Sequence, residues 1–349
     1  LHVALVSFLF FQLLLRLGIR REPATILLLA ILPMYAVVAG GAPSIWRAVS
    51  VVEFIMLARY LRWNIPMDDA LSISFIIFVL LEPGIIFQVG FQLSYLATYS
   101  LVYSSRILAR YSNFLVQSFF ITFVCQILVY PLLLLHFFEI SLSSFIANIF
   151  FVPLFSFVIL PINLGVLVLT FLPIPLDSFV FLLYEPMRTA LTNLILYIQQ
   201  PIFQMWNPGK PSVIWLVLLY SSVFITFYLL DKQKIIKAIL LLVLPALVFH
   251  LQSYWHNDLK IAFVNVEQGD CVVIELPYRK SVIVIDAGGV LRFDQEKWKE
   301  RQAPYEVGRQ VVVPYLKGRG IQSIDTFVLS HADADHVEGA EEVLREVIV

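Results

Sequence analysis

Four side chains able to bind metal fall within a six-residue stretch near the C-terminus. They are His331, Asp333, Asp335 and His336, in the string Ser330-His331-Ala332-Asp333-Ala334-Asp335-His336. Imidazole nitrogens and carboxylate oxygens suit Zn, Mn or Fe, and an aspartate where a third histidine might stand shifts the preference toward harder ions such as Mn. The string follows an apolar run, residues 324–329, that reads as a buried strand. In a tight loop, Asp335 and His336 can point away from His331 and Asp333, so one loop would serve up to two divalent ions, Zn or Mn. Two such ions hold a bridging hydroxide and clamp the attacking and leaving oxygens of an in-line displacement at phosphorus. Asp335 is the candidate catalytic residue. The bland alternative is a solvated acidic turn with two incidental histidines; four ligands in this order directly after a strand weigh against it.

The elements that must hold this loop begin near residue 259. Residues 259–266 and 271–276 are β-rich runs separated by the turn signal Glu267-Gln268-Gly269-Asp270. Residues 281–286 form a third strand closed by Ala287-Gly288-Gly289, with Asp286 expected to fix that turn. Residues 290–306 read as a polar, aromatic loop with some helix, 306–317 as a helix despite Pro314, and 338–347 as a helix after the metal loop. Strand, metal loop, helix is the order a hydrolase site needs.

The rest of the chain is of another kind. Of 349 residues, 60% are hydrophobic and 14% charged, against about a quarter charged in soluble domains. The excess lies in long apolar runs up to Gln252, and ordinary charge density returns from Asp258. The expected division is a membrane domain over 1–252 and a soluble one over 253–349. Ten stretches are candidate spans: 1–17, 24–42, 45–61, 67–82, 85–104, 114–137, 144–172, 176–198, 212–230 and 236–252. Pro153 and Pro161 interrupt the seventh, where irregular backbone must be buried in protein or line a cavity. Arginines and lysines gather after the first, third, fifth and ninth stretches. That places those loops in the cytoplasm and the C-terminal domain outside it. Net charge is −1, which excludes a global basic field for nucleic acid. The two cysteines, Cys125 and Cys271, lie in different kinds of element and predict no disulfide.

Arg47 stands at a span end, where it either snorkels to headgroups or contacts a phosphate near an outer mouth. Gln88 and Gln92 share a helix face and would line a polar path or bond a neighbouring helix, the commoner role. Ser94 and Asn148 are further polar groups at membrane depth, and Glu185 and Arg188, three apart, would pair. There is no Gly-x-x-x-x-Gly-Lys-Ser/Thr loop, so ATP energy would come from a partner.

The His-x-Asp-x-Asp-His string resembles the signature of the metallo-β-lactamase superfamily in its variant with Asp at the second ligand position. The Gly269-Asp270 and Ile285-Asp286-Ala287-Gly288 segments resemble that fold's first strands. The resemblance implies one metal site at His331 and Asp333 and another at Asp335 and His336, with later ligands expected beyond Val349. In the membrane half, Gly41-Ala42-Pro43-Ser44-Ile45-Trp46-Arg47-Ala48, Glu82-Pro83, Gly90-Phe91-Gln92-Leu93-Ser94-Tyr95-Leu96-Ala97, and the region from His136-Phe137 to Asn148 and Pro153 look like the ComEC family of competence proteins. Val266-Glu267-Gln268-Gly269-Asp270 resembles its junction motif, with Glu267 where glycine is usual. That family's N-terminal OB-like domain is not in this chain.

The expected fold is therefore a mainly α polytopic membrane protein with a C-terminal partial α/β metallo-β-lactamase-like domain. The implied function is uptake of single-stranded DNA across the cell (plasma or inner) membrane, linked to a metal-dependent nuclease-like hydrolase. Expected partners are single-stranded DNA, the lipid bilayer, a DNA receptor, cytoplasmic translocation proteins and further copies of the chain. Two alternatives stand beside it: a small-solute transporter with an accessory metallo-hydrolase, and a truncated non-catalytic remnant.

Overall fold

A computed structural model describes residues 2–170, 177–199, 205–267, 269–289 and 305–349. Gln268 and most of the expected 290–306 loop lie outside the described residues. Each of the ten apolar stretches contains a helix: α1 (His2–Arg16), α2 (Arg21–Val38), α3 (Pro43–Tyr60), α4 (Met67–Leu81), α5 (Val89–Leu108), α6 (Phe114–Phe137), α7 (Ser143–Leu154) running on to α8 (Leu160–Thr170), α9 (Asp177–Gln199), α10 (Val213–Asp231) and α11 (Ile235–Leu251). Among the described residues, five helical segments are long and apolar enough to cross a membrane by length and composition. Helix α4 has 15 residues, which spans about 22 Å against a hydrocarbon core of about 30 Å. Helix α3 carries Arg47, Glu53 and Arg59.

Prolines shape the backbone in both halves. The expected break near Pro161 is a π turn, Phe155–Ile159, that joins α7 to α8. The same device precedes Pro314: a π turn over Gly308–Val312 leads into α12 (Val313–Gly318), with the proline in its first turn. Proline has no N–H to give to the preceding turn, and its ring clashes there. A locally widened turn absorbs both defects without ending the helix.

The chain packs as two compact units, Leu1–Val129 with Ser143–Gln204, and Tyr130–Leu142 with Met205–Val349. In the first unit, α2 buries Ala24, Leu28, Leu32 and Ala36, a single stripe at four-residue spacing, against Val3 of α1 and Ile45 and Val49 of α3. A second cluster joins Leu71 of α4 with Ile85, Phe91 and Tyr95. There the rings of Phe91 and Tyr95 lie 4.6 Å apart, and Phe75 meets Tyr95 edge-on at 5.2 Å. The outward faces are apolar: Leu80, Leu81, Phe87 and Phe157 are exposed. Water would penalise that surface, and lipid does not.

The second unit contains a short antiparallel pair, β1 (Ile140–Ser141) with β2 (Met205–Trp206), the α10–α11 pair, and a four-stranded sheet ordered β3 (Lys260–Phe263), β4 (Val272–Glu275), β5 (Val282–Ile285), β6 (Thr326–Val328). These strands fall inside the expected runs. The first two pairings are antiparallel, and β5–β6 is parallel. A parallel pair needs a long crossover, here residues 286–325 with α12. Parallel pairing also puts the C-terminal ends of β5 and β6 side by side. The last register pair is Ile285 with Val328, so Asp286 emerges beside the start of the metal loop. The sheet's core is Val273, Val282, Val284, Val312, Leu316, Ile324 and Val343, all 4% exposed or less. The expected helix over 338–347 is α14 (Ala340–Glu346), and a separate turn, α13 (Ala334–Val337), precedes it within the expected metal loop. Gly339 makes the break, because its N–H bonds to the Gly288 carbonyl and a Cβ there would strike the Ala287 carbonyl. Cys125 and Cys271 are free thiols.

Candidate metal centre

The carboxyl end of a parallel strand pair is a common place for a site, because the loops that follow diverge and leave a crevice. Asp286 occupies that position after β5, at φ 56°. Its side chain is 4% exposed. One oxygen, Oδ1, accepts the Ser330 backbone N–H at 2.8 Å. The other, Oδ2, accepts the Ser330 hydroxyl at 2.6 Å and contacts His336 Nδ1 at 3.0 Å. Burial pushes this carboxyl up, but the two Ser330 bonds and His336 outweigh it and hold Asp286 below its ordinary value. An ionised carboxylate only accepts, so His336 Nδ1 carries the proton, and in the neutral imidazole that a metal binds Nε2 is bare. Donating that hydrogen bond to Asp286 correspondingly raises the His336 pKa, with Asp335, Asp286 and Asp270 adding their charge.

The same reasoning sets His331. The single hydroxyl hydrogen of Ser330 is committed to Asp286, while Ser330 Oγ lies 2.8 Å from His331 Nδ1. His331 Nδ1 must then donate, which leaves its Nε2 bare as well. Both imidazoles thus hold the tautomer a metal requires, each fixed through its other nitrogen.

The two rings stand with centroids 3.8 Å apart. Helix α13 starts at Asp333, whose carbonyl accepts the His336 and Val337 N–H groups, so Asp335 and His336 ride on one helical turn rather than in the expected loop. His331, Asp335 and His336 each offer a ligand atom, and these atoms lie within 4.8 Å of one another. Asp335 Oδ2 is 3.7 Å from His336 Nε2. Asp333 stays outside this group: its carboxylate is 77% exposed and lies 3.5 Å from His331 Nε2. Two bare imidazole nitrogens and a carboxylate suit a divalent ion at about 2.0–2.2 Å per ligand, reached by small rotamer adjustments. The donor set therefore fits the implied metal, and His331, Asp335 and His336 would hold it with Asp333 at the rim.

Backbone contacts brace the loop from behind. Ala287 N–H bonds to the His336 carbonyl at 3.0 Å and Gly288 N–H to the Asp270 carbonyl at 3.0 Å. A Cβ at Gly269 would overlap the Asp335 carbonyl, and one at Gly289 the Ala334 carbonyl. Ser330 and these two glycines are site residues that sequence reasoning left without a role. The turn signal at Gly269 and the glycine pair after β5 were the available hints.

The five residues expected along a membrane path lie in the first unit. Arg47 is 3% exposed and does not snorkel. It donates to the Gly90 carbonyl at 2.8 Å and lies 5.4 Å from the Phe91 ring centre, with Nε and Nη1 buried and without partners. Gln88 donates to Glu82 at 3.4 Å and Gln92 to the Ile86 carbonyl at 2.8 Å, both closing the 3₁₀ elbow Pro83–Phe87 before α5. Ser94 is half-buried on α5, and its carbonyl accepts from Thr98. Asn148 lines a largely apolar cavity of about 380 Å³ bordered by α1, α6 and α7. Glu185 and Arg188 do pair, at 2.7 Å.

The metallo-β-lactamase superfamily matches residues 264–349. ComE operon protein 3 of Bacillus subtilis (strain 168) is 29% identical over 348 residues, covering 99% of this chain and 45% of that protein. The chain thus spans under half the length of that relative. No solved structure matches it significantly. The family described as Competence protein matches residues 1–233, two thirds of the sequence, and the chain belongs to it.

Proposed function

We propose that residues 1–252 form a conduit for one strand of DNA during natural transformation, and that residues 253–349 belong to a metal-dependent nuclease-like domain acting beside it. The support is the union in one chain of a competence-family membrane region with His331, Asp335 and His336, whose ligand atoms lie within 4.8 Å of one another. In this reading the protein crosses the cell membrane several times, with its basic loops in the cytoplasm and its C-terminal domain outside.

A bound Zn or Mn would supply Lewis acidity and a nucleophilic oxygen at neutral pH. The chain's own residues do the rest. Asp286 and Ser330 fix both imidazole tautomers, and Asp335 is the carboxylate placed to take part in chemistry. Gly269 and Gly289 let the backbone come close enough to hold the loop still. Along the conduit, Arg47, Gln88, Gln92, Ser94 and Asn148 are the proposed strand contacts. The two unpartnered nitrogens of Arg47 are buried, so a phosphate would meet them only when α3 and α5 part.

Two measurements in cells carrying the native gene test the proposal. Asp335→Ala should abolish metal-dependent cleavage while membrane insertion persists; full cleavage by that variant would remove the assignment. Arg47→Ala with Gln92→Ala should lower transformation by about 100-fold, as expected when a buried charged contact is deleted. Normal transformation by that pair would place the strand elsewhere.

A further inference from the structure

A cavity of about 670 Å³ opens among α1, α2 and α3, within the first unit. Its lining changes character with depth. The mouth lies where α1 ends, α2 starts and α3 ends, and carries Arg21, Arg59 and Arg62 with one carboxylate, Glu22. All four side chains are exposed, and among the described residues none of the three guanidiniums has an ion-pair partner. Deeper, Phe11 and Met56 line the wall, and Phe8, Leu28 and Val52 the floor. From Arg59 back to Val52 is seven helical residues, about 10 Å along the axis. On α3 the lining residues Val52, Ile55, Met56 and Arg59 recur at the three-four spacing of a single helix face.

The serine and threonine hydroxyls in the cavity are already used, and Tyr60 stands at the mouth beside Arg59. Ser7 donates to the Val3 carbonyl at 2.7 Å and Thr25 to the Arg21 carbonyl at 2.9 Å. That leaves Gln12 as the polar side chain below the mouth. A cationic rim above an apolar floor, at the end of three packed helices of which α2 is long and apolar enough to cross a membrane, has the polarity profile of a single phospholipid. A polynucleotide path needs cationic groups that track the backbone along its length, and here they are confined to the mouth.

We propose that this cavity binds one anionic phospholipid, its phosphodiester headgroup held by Arg21, Arg59 and Arg62 and an acyl chain laid against Phe11, Met56 and Val52. The inference concerns a site apart from the proposed strand contacts and does not rest on them. Three guanidiniums against one carboxylate leave a net cationic rim, which a zwitterionic lipid would match less well. The bound chain would join the three helices much as a side chain fills a core.

The test uses the detergent-solubilised chain, stripped of native lipid and offered an equimolar mixture of dioleoyl phosphatidylglycerol and dioleoyl phosphatidylcholine. Lipid retained after repurification is counted by mass spectrometry. The parent chain should keep phosphatidylglycerol in preference, and Arg59→Gln with Arg62→Gln should cut that preference about tenfold. Val52→Trp, which fills the floor and leaves the rim intact, should also release phosphatidylglycerol; its result decides alone if the double variant loses helix content by circular dichroism. Equal retention of the two lipids by the parent chain would overturn the proposal, as would undiminished retention in folded Val52→Trp. A single-stranded oligonucleotide that displaced the lipid from the parent chain, and failed to bind the arginine variant, would reassign the mouth to DNA and equally overturn it.

Discussion

Replacing Asp286 by asparagine is expected to lower the affinity of the metal group for Mn or Zn by about 10- to 100-fold, the usual cost of losing the partner that orients a ligating histidine. The carboxylate accepts three hydrogen bonds with two oxygens, and all three donors belong to the metal loop. Asparagine keeps one acceptor and turns the other into a donor. If its amide nitrogen takes the Oδ2 position, it faces the Ser330 hydroxyl and His336 Nδ1, which both donated there. Relief comes when Nδ1 surrenders its proton and Nε2 takes one, which covers the nitrogen the metal needs. Ser330 is then released to donate to His331 Nδ1, and the second imidazole flips its tautomer in turn. The substitution thus removes two ligands through hydrogen bonding alone, with almost no change in volume. Competition against a chelating dye measures the effect, and nitrogen-15 chemical shifts of the two rings report the tautomers directly. Parent-like affinity in a folded Asp286→Asn chain would show that the tautomers are set by other groups.

The parts of this centre that could be read in advance were local ones. His331, Asp335 and His336 announce themselves because ligand types are crowded behind an apolar strand, and helices and strands follow hydrophobic period. Asp286 was legible as a turn residue and no more, because its partners lie 44 and 50 positions away. They meet only through the parallel β5–β6 pairing, which no local pattern encodes. Asp333 and Asp335 look equivalent in the string, yet only Asp335 rides the helical turn that faces the rings. Arg47 shows the same limit in the membrane half. Its place at a span end allows both a headgroup contact and an interior one, and the choice depends on how α3 packs against Gly90 and Phe91. The turn of α13 was hidden because it lies among the ligand residues, and what ends it at Gly339 is the Ala287–Gly288 backbone behind it.

The largest stability loss is expected at Arg279, whose replacement by alanine should cost about 3 kcal/mol or more. Its guanidinium is 8% exposed and ties together four segments. Nε bonds to Glu275 of β4 at 3.4 Å, and Nη1 to the Gly320 carbonyl at 2.8 Å and Ser253 Oγ at 3.2 Å. Nη2 donates to the Arg319 carbonyl, and the group lies 5.5 Å from the ring centre of Tyr254. Arg279 and Tyr278 both sit at positive φ, 53° and 56°, a strained pair for non-glycine residues that persists only while its surroundings restrain it. Alanine strands two carbonyls, leaves the carboxylate of Glu275 to Arg319 alone at 2.7 Å, and frees the turn to relax. Lysine keeps the charge but has no planar fork to reach four acceptors at once, so Arg279→Lys should recover only part of the loss. The contrast is Arg345, paired with Glu341 at side-chain exposures of 72% and 67%, where alanine should cost about 0.5 kcal/mol or less. Because Ser253 and Tyr254 follow α11 directly, the loss should appear first as faster hydrogen exchange in β4 and in the Gln252–Tyr254 turn, before the helices melt. Equal melting temperatures for the Arg279→Ala and Arg345→Ala chains in the same detergent would refute this ranking. They would mean that the buried network is offset by its own desolvation, as buried ion pairs sometimes are.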